Sequence, residues 1–471
     1  MLDQLIDSGH PGLDALARAA LEVALGLLAL ALILIALRVL WFLIRWIPAS
    51  PSKKAALVMA VKVSWSWRRA CLALGLYESI ERTYVHDGKT RTKTVKRVPR
   101  IRIRVDEFGV FVRVRTLPKV GREELLKHGQ HFADTWGCTR VAVYQTKPGR
   151  VVIRGVQLDP ITQELEYTPP STDADPFVWD LGVDEWADPT EISLRNIPGI
   201  SVAGLPGYGK SALVNRGIVR WSRSALVQLA VLDGKGGGDY DDMEPRLFAK
   251  LGDSIEDAND FFTKLEEHRQ LRSSLLRSAL GTKSIWNVPG KGKNGGTGIG
   301  FTEDWPLLVV VLDEAHTFFV QTRDGGDKTL KRRNALAADN AQKVQQLVKL
   351  GRSVGMIVLL VTQKITSDAV PTAIRDNCPI GLSFALKTQD AAVAALGDDI
   401  RQHPDANPVN LQGDDYRLVC TLARQDAPGF KRVRAAYVPD EYAAQVATET
   451  AELTRDPFES IKTYTQREMS A

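Results

Sequence analysis

The sequence predicts an α/β chain: a large domain on a mostly parallel sheet, preceded by a small α+β domain and one apolar N-terminal helix. Three observations predict it. The apolar run GISVA at 199–203 opens into GLPGYGKSAL and a helical pattern. A second apolar run, WPLLVVVLDEAHTFF from Trp305, ends in paired acids, and the stretch from Val23 to Leu37, VALGLLALALILIAL, carries no charge.

Length and charge bound the reading first. At 471 residues the chain exceeds what one hydrophobic core usually supports, so two globular domains with accessories are expected. The 61 Lys and Arg nearly balance the 56 Asp and Glu, leaving +5. Net charge therefore identifies no polyanionic partner, and the placement of charge matters more. Cys71, Cys138, Cys378 and Cys420 stand far apart with neither CxxC nor Cys–His ligand spacing, which suits core residues in a reducing compartment better than a disulfide frame or zinc site.

The first element is the apolar run, which resumes after Arg38 as VLWFLI. From Val23 to Ile44 a helix would be about 33 Å long, enough to cross a bilayer with Arg38 snorkelling near one end. Asp3, Asp7, Asp14 and Glu22 precede it against one Arg18, whereas Arg38, Arg45, Lys53, Lys54, Lys62, Arg68 and Arg69 follow with no acid before Glu78. That asymmetry predicts a single pass at 23–44 in the cell membrane, with 1–22 outside and everything after Pro48 cytoplasmic. The stretch AALVMAVKVSWSWRRACLALGL, within a basic segment at 45–80, is broken by charges and reads as an interfacial or packed amphipathic helix.

Residues 81–168 have the texture of a small α+β domain. Basic residues cluster around the turn signal HDGK, and RIRIRV and VFVRVR alternate with period two, so Arg100, Arg102 and Arg104 share one exposed strand face. GREELLKHGQHFADTWG reads as an amphipathic helix, and RVAVYQ and RVVIRGVQL as strands. The arginine face suits either a solvated surface or contact with DNA or lipid.

A Pro-, Ser- and Asp-rich linker at 169–180 leads to the large domain, 181–448, with a polar tail at 449–471. Gly204, Gly209, Lys210 and Ser211 complete the pattern G-x-x-x-x-G-K-S between strand and helix, a phosphate-binding loop over Gly204, Leu205, Pro206, Gly207, Tyr208, Gly209, Lys210, Ser211 and Ala212. Glycines let successive N–H groups curl toward one anion, and the helix N-terminus adds its dipole. Lys210 is expected on the β- and γ-phosphates of ATP, and Ser211 on Mg²⁺. Asp313, ending the buried run at 307–312, is expected to hold the Mg²⁺ through water, and Glu314 to polarise the attacking water. Two further apolar runs end in Asp233 and Lys235 and in Thr362 and Gln363, placing polar groups where open α/β sheets bind ligands. Gln363 can sense the γ-phosphate. Lys291 and Lys293 lie in a glycine-rich excursion, 287–300, and Lys328, Lys331, Arg332 and Arg333 form the densest basic cluster of this domain; both are candidate DNA contacts.

These residues resemble the FtsK/SpoIIIE DNA translocases. GLPGYGKS, LDGKGG, LDEAH and GRSVGMIVLLVTQ occur in that family's order over roughly residues 100 to 440, and the block with Gly351, Arg352, Gly355, Thr362 and Gln363 is the most specific of them. The pieces SWSWRRACLALGL and PRIRIRVDEFGVFVRVRTLP resemble the forms on actinobacterial conjugative plasmids and integrative elements. The resemblance implies a RecA-like P-loop NTPase, a homo-hexamer with ATP between neighbours, channel loops walking on double-stranded DNA, and other transfer proteins as partners. It also implies an arginine acting across the subunit boundary, for which Arg352 and Arg375 are candidates. Lys364 and Ile365 replace the Arg-Pro usual after the TQ pair, Gly381 stands where an arginine is common, and no winged-helix appendage is expected. Chromosome segregation and protein secretion remain alternative roles for the same core.

Overall fold

The computed structural model describes residues 11–86, 89–171, 173–292, 296–323, 325–366 and 369–470. It divides into two compact units, Met1–Asp159 and Pro160–Ala471.

The first unit begins with α1 (Pro11–Trp46), a helix of 36 residues. Among the described residues no helix is long and apolar enough to cross a membrane. The stretch expected to do so contains Ile35, Arg38 and Trp41, whose side chains lie outside the described set, as do Asp3 and Asp7 entirely. Most of its described apolar side chains are exposed, Leu27 at 62% and Ile44 at 63%, while Phe42 is half-buried. The second helix, α2 (Pro51–Ala73), starts where the Ser50 hydroxyl accepts the Lys53 amide at 3.3 Å and Pro51 occupies the first turn. One of its faces, Met59, Val63, Trp67 and Cys71, is buried, so this amphipathic segment is a packed helix.

Then follow a two-stranded ribbon of β1 (Glu78–His86) and β2 (Lys89–Arg97), and an antiparallel sheet of β3 (Arg100–Val105), β4 (Gly109–Arg115), β5 (Arg140–Lys147) and β6 (Arg150–Val156) in the order β3-β4-β6-β5. Between β4 and β5 the expected single helix is two, α3 (Arg122–Lys127) and α4 (Gly129–Trp136), broken at His128. Alternation works here as period two requires. Val110, Val112 and Val114 of β4 pack with α2, α3 and α4, while Arg113 and Arg115 face the other way. The Trp67 indole donates to the Pro99 carbonyl at 2.8 Å, tying α2 to the entry of β3.

The second unit is one ten-stranded sheet with helices. In chain order its elements are β7 (Val178–Asp184), β8 (Pro189–Ser193), β9 (Gly199–Ala203), α5 (Lys210–Trp221), β10 (Val227–Asp233), β11 (Leu247–Leu251), α6 (Ile255–Ser278), β12 (Leu307–Asp313), α7 (Lys328–Leu350), β13 (Met356–Thr362), α8 (Thr372–Arg375), β14 (Ile380–Ser383), α9 (Gln389–Leu396), β15 (Val419–Arg424), β16 (Ala427–Arg434), α10 (Asp440–Glu449) and α11 (Pro457–Ser470). The strand order is β11-β10-β12-β13-β9-β14-β15-β16-β7-β8.

The pairings from β11 to β14 are parallel. Those from β14 to β8 are antiparallel, so the sheet is mixed. β9, β10, β12 and β13 are buried along their whole length, as strands covered on both faces must be. The antiparallel half was not legible as such. β7 begins inside the segment read as linker. Residues 449–471, read as a polar tail, include α11, whose Ile461 is fully buried and whose Phe458 stacks edge-on with Phe248 and Phe261.

Arg272 of α6 shows how the parallel half is clamped. It is fully buried, and its Nη1 donates to the carbonyls of Pro306 at 2.9 Å and Val354 at 3.1 Å, gathering the residues that lead into β12 and β13. Burial pulls its pKa down to about 9, and the Trp305 ring lies 5.6 Å from its guanidinium. The four cysteines are free thiols, three of them buried and each pushed up to about 12 by burial, as core residues should be.

Phe262 is fully buried in α6 and meets Phe318 edge-on at 6.3 Å. Phe262→Ala is expected to cost about 3–5 kcal/mol, measured as the shift in the urea-unfolding transition of the second unit.

Candidate nucleotide site

The site is a consequence of register. β9, β10, β12 and β13 run parallel, and pairing aligns Asp233 with Asp313 and Thr362 with Ala203. Their C-terminal ends therefore form one rim, from which the loops after each strand leave together. A cavity of about 380 Å³ opens there, lined by the loop from Pro206 to Ala212 and by Lys235, Asp313, Glu314 and Gln363, among others.

The loop between β9 and α5 has the backbone such a cradle needs. Gly204 and Gly209 sit at φ of 152° and 103°, and a Cβ at either would lie 2.6 Å from a side-chain atom of Phe384 or Leu418. Only glycine fits both demands. Among the described residues the amides of Gly207, Gly209 and Lys210 make no backbone hydrogen bond, which leaves several donors free for an anion at the N-terminus of a twelve-residue helix. Lys210 is buried, with its Nζ donating to the Leu205 carbonyl at 3.1 Å. Burial lowers its pKa, against the opposing pull of the Glu314 and Asp313 charges. A desolvated ammonium and free amides together fit a polyphosphate.

The acids are held by a network. Asp313 Oδ2 accepts from the Tyr240 hydroxyl at 2.8 Å and from the Ser211 hydroxyl at 3.4 Å, and Oδ1 accepts the Glu314 amide at 2.8 Å. The one Ser211 proton is shared with Asp239 Oδ2, the nearer acceptor at 3.0 Å. Burial raises the pKa of Asp313, partly countered by the bonds from Tyr240 and the Glu314 amide. The hydroxyl and two carboxylates are oxygen donors of the kind Mg²⁺ takes. Glu314 adopts a left-handed backbone at φ 48°, unusual for a residue with a side chain and characteristic of functional turns. Burial would raise its pKa, yet His316, the Gln363 amide and side chain, and the Lys210 charge outweigh it, and the net shift is downward. Gln363 N donates to Glu314 Oε2 at 3.2 Å, its side-chain amide bonds Oε1, and His316 Nδ1 lies 3.3 Å from Oε2. Glu314 is thus kept as a carboxylate with a fixed direction.

Lys210, Ser211, Asp313, Glu314 and Gln363, distant in the chain, meet here. Asp233 stands on the same rim but turns inward, accepting the amides of Lys235 at 3.0 Å and Gly237 at 2.8 Å. The two arginines do not join them. Arg352 precedes β13, whose length places it about 20 Å from the rim at 3.3 Å per residue, and its side chain is exposed. Arg375 is half-buried and donates to the carbonyls of Ile365 and Ala394, both at 2.8 Å. In the basic cluster Lys328, Lys331 and Arg332 are exposed at the start of α7, whereas Arg333 reaches the carbonyls of Thr317 and Val320. Lys291 is exposed and Lys293 lies outside the described residues.

Sequence reading missed several residues of this cavity. Asp239 was passed over within GGGDY, as was its neighbour Tyr240, which is buried and bonds Asp313 without lining the cavity. Arg417, Leu418 and Tyr437 arrive from the antiparallel half, and nothing local in the sequence marks them. Leu418 has a left-handed backbone at φ 61°, and its amide donates to the Tyr208 carbonyl at 3.0 Å. Arg417, paired with Asp414 at 2.8 Å, brings an exposed cation to the mouth.

No family model matches the chain. It is 24% identical to DNA translocase FtsK 1 of Neisseria meningitidis over 322 residues, 61% of this chain and 37% of that protein. With DNA translocase FtsK of Chlamydia trachomatis it shares 22% over 265 residues, 54% of this chain and 29% of that one. The matched stretches are well under half the length of either relative. The fold is similar to that of the pCW3 conjugation coupling protein TcpA, solved as a monomer with ATPγS, at a TM-score of 0.50 and 15% identity over 84% of this chain and 99% of the other. The chain is thus similar in sequence to part of these FtsK translocases and in fold to TcpA.

Gly209→Ala forces a Cβ into Leu418 at a φ that alanine resists. It is expected to weaken nucleotide binding at least tenfold, read by titration of a fluorescent ATP analogue, with the circular dichroism of the fold unchanged.

Proposed function

We propose that this chain is a membrane-anchored ATPase that drives double-stranded DNA, as a homo-hexamer, in conjugative transfer of a mobile element. The observation that carries the ATPase is the Glu314 carboxylate, oriented by Gln363 and His316 in the cavity of the phosphate loop.

The residues divide the work as follows. The loop from Gly204 to Ala212 and the α5 N-terminus hold the phosphates, and Lys210 neutralises the β- and γ-phosphates. Ser211, and Asp313 through water, would hold Mg²⁺, which would neutralise charge on the phosphates. Glu314 aligns a water and takes its proton; the water oxygen bonds the γ-phosphorus as the bond to the β–γ bridging oxygen breaks, leaving ADP and phosphate. Gln363, bonded to Glu314 by backbone and side chain, reports the loss of the γ-phosphate to β13 and the loop that follows. Arg352, exposed and remote from its own cavity, is the better of the two candidates to complete a neighbour's site; Arg375 is engaged by carbonyls of its own chain.

DNA as the cargo is supported by the relatives, which are named as DNA translocases, and by the GR-x-x-G-x6-TQ block. The conjugative role is supported by the fold shared with a conjugation coupling protein and by the resemblance of the juxtamembrane segment. Anchoring is supported by α1. The apolar side chains described on it between Val23 and Ile44, such as Leu27 and Ile44, are exposed and fit contact with lipid. The basic residues after it favour a cytoplasmic motor.

The test is ATP hydrolysis by the detergent-solubilised full chain with and without linear duplex DNA. Duplex is expected to stimulate turnover severalfold and Lys210→Ala to abolish it; turnover indifferent to DNA would count against a DNA motor. Glu314→Gln keeps the hydrogen-bonding shape and loses the base, so hydrolysis should fall about 10²–10⁴-fold while the ATP Kd stays within threefold.

A further inference from the structure

The sheet of the first unit has two unlike faces. One packs on α2, α3 and α4; the other carries Arg100, Arg102, Arg104, Arg113, Arg115 and Arg150, and these line a concave groove of about 1150 Å³. Register sets like charges directly opposite one another: Arg100 faces Arg115, Arg102 faces Arg113, and Arg115 in turn faces Arg150. Cross-strand pairs of one sign destabilise a sheet. Among the described residues none of these six side chains has a hydrogen bond or an ion pair, although acids are near in sequence. Asp106 is taken by the buried Arg154 at 2.7 Å and Asp159 pairs with Arg140. Phe111, under the buried Arg154 guanidinium at 4.0 Å, and Tyr144 also line the groove.

Fold stability alone would not retain such a ladder. Polar uncharged residues would solvate the face equally well without the repulsion. An anion with several charges at strand spacing removes the penalty, and alternate residues of an antiparallel strand step by about 6.8 Å, comparable with the separation of successive phosphates along a nucleic-acid strand. Six of the seven cations that line the groove are arginines, the seventh being Lys147, and arginine's planar fork matches phosphate oxygens in pairs. Curvature separates the two large polyphosphates: a concave surface wraps a rod, whereas a bilayer would meet only its rim.

We propose that this arginine-lined sheet face is a second nucleic-acid site, outside the ATPase unit, that grips the backbone of duplex DNA without reading its sequence. The choice of DNA among polyphosphates rests on the translocase reading above. A backbone grip supplies affinity that falls steeply with salt and carries no base specificity.

The test compares the full chain in neutral-lipid nanodiscs with Arg102→Gln/Arg113→Gln/Arg115→Gln, and with a triple Arg→Lys variant of the same positions that keeps the charge. Anisotropy of a labelled duplex is measured across salt concentrations. The glutamine variant should bind at least tenfold more weakly at low salt and show a log K against log salt slope shallower by about 2.7, three contacts at 0.9 each. The lysine variant should recover most of both, and ATP hydrolysis without DNA should be the same in all three. An unchanged slope in the glutamine variant, with duplex still stimulating hydrolysis, overturns this site and leaves the motor reading standing. No duplex binding and no stimulation in the unaltered chain overturns both. Loss of capture by phosphatidylserine vesicles, with duplex binding intact, assigns the face to lipid and overturns the proposal.

Discussion

Everything at the nucleotide site depends on the parallel pairing of four buried strands. β9, β10, β12 and β13 are buried along their whole length, with Ser201 the one polar side chain away from a strand end, and their backbone groups are satisfied by the ladder they share with one another and with β11 and β14. Parallel strands in one register end together, so Ala203, Asp233, Asp313 and Thr362 share a rim although the chain between them is long. A slip of one residue in β12 would turn Asp313 to the opposite face and take Ser211 and Tyr240 out of reach. Arg272 guards that register from the opposite end, through the carbonyls at the entrances to β12 and β13.

On that rim the chain accepts local cost for function. Glu314 is a non-glycine residue in a left-handed conformation, Lys210 is an ammonium removed from water, and Asp313 is a carboxylate under the same burden. Each is tolerable because the others are there: the Lys210 charge favours ionised Glu314, and Tyr240, Ser211 and the Glu314 amide satisfy Asp313. The antiparallel half contributes the wall. Tyr208 binds it twice, accepting the Leu418 amide with its carbonyl and the Gly413 amide with its hydroxyl at 3.1 Å. These two bonds tie the phosphate loop to the entry of β15.

Where sequence reading succeeded and where it stopped follow from range. The phosphate loop was legible because its glycines, lysine and serine are consecutive and each is required by local backbone geometry. The runs ending in Asp313 and Thr362 were legible because strands buried on both faces must be apolar throughout. Asp239 and Tyr240 were missed since their significance lies in reaching Ser211 and Asp313, not in their spacing. For Arg352 and Arg375 the sequence offered two equal cations; only the packing of α8 against the end of α9 engages one of them with carbonyls of its own chain.

The sequence by itself determined the kind of chemistry and the kinds of surface. A glycine-rich loop before a helix, acids after buried strands, and arginines at alternate positions are each consequences of residue type at short spacing, within reach of steric and periodic rules. Tertiary structure alone decided which of these meet. Strand order brought β12 and β13 between β9 and β10, so that Glu314 and Gln363 face the phosphate loop. Strand register set arginine opposite arginine across β3, β4 and β6. Both are set by long-range pairing, in which residues far apart in the chain are chosen by the burial of whole strands, and no short window of sequence records that choice.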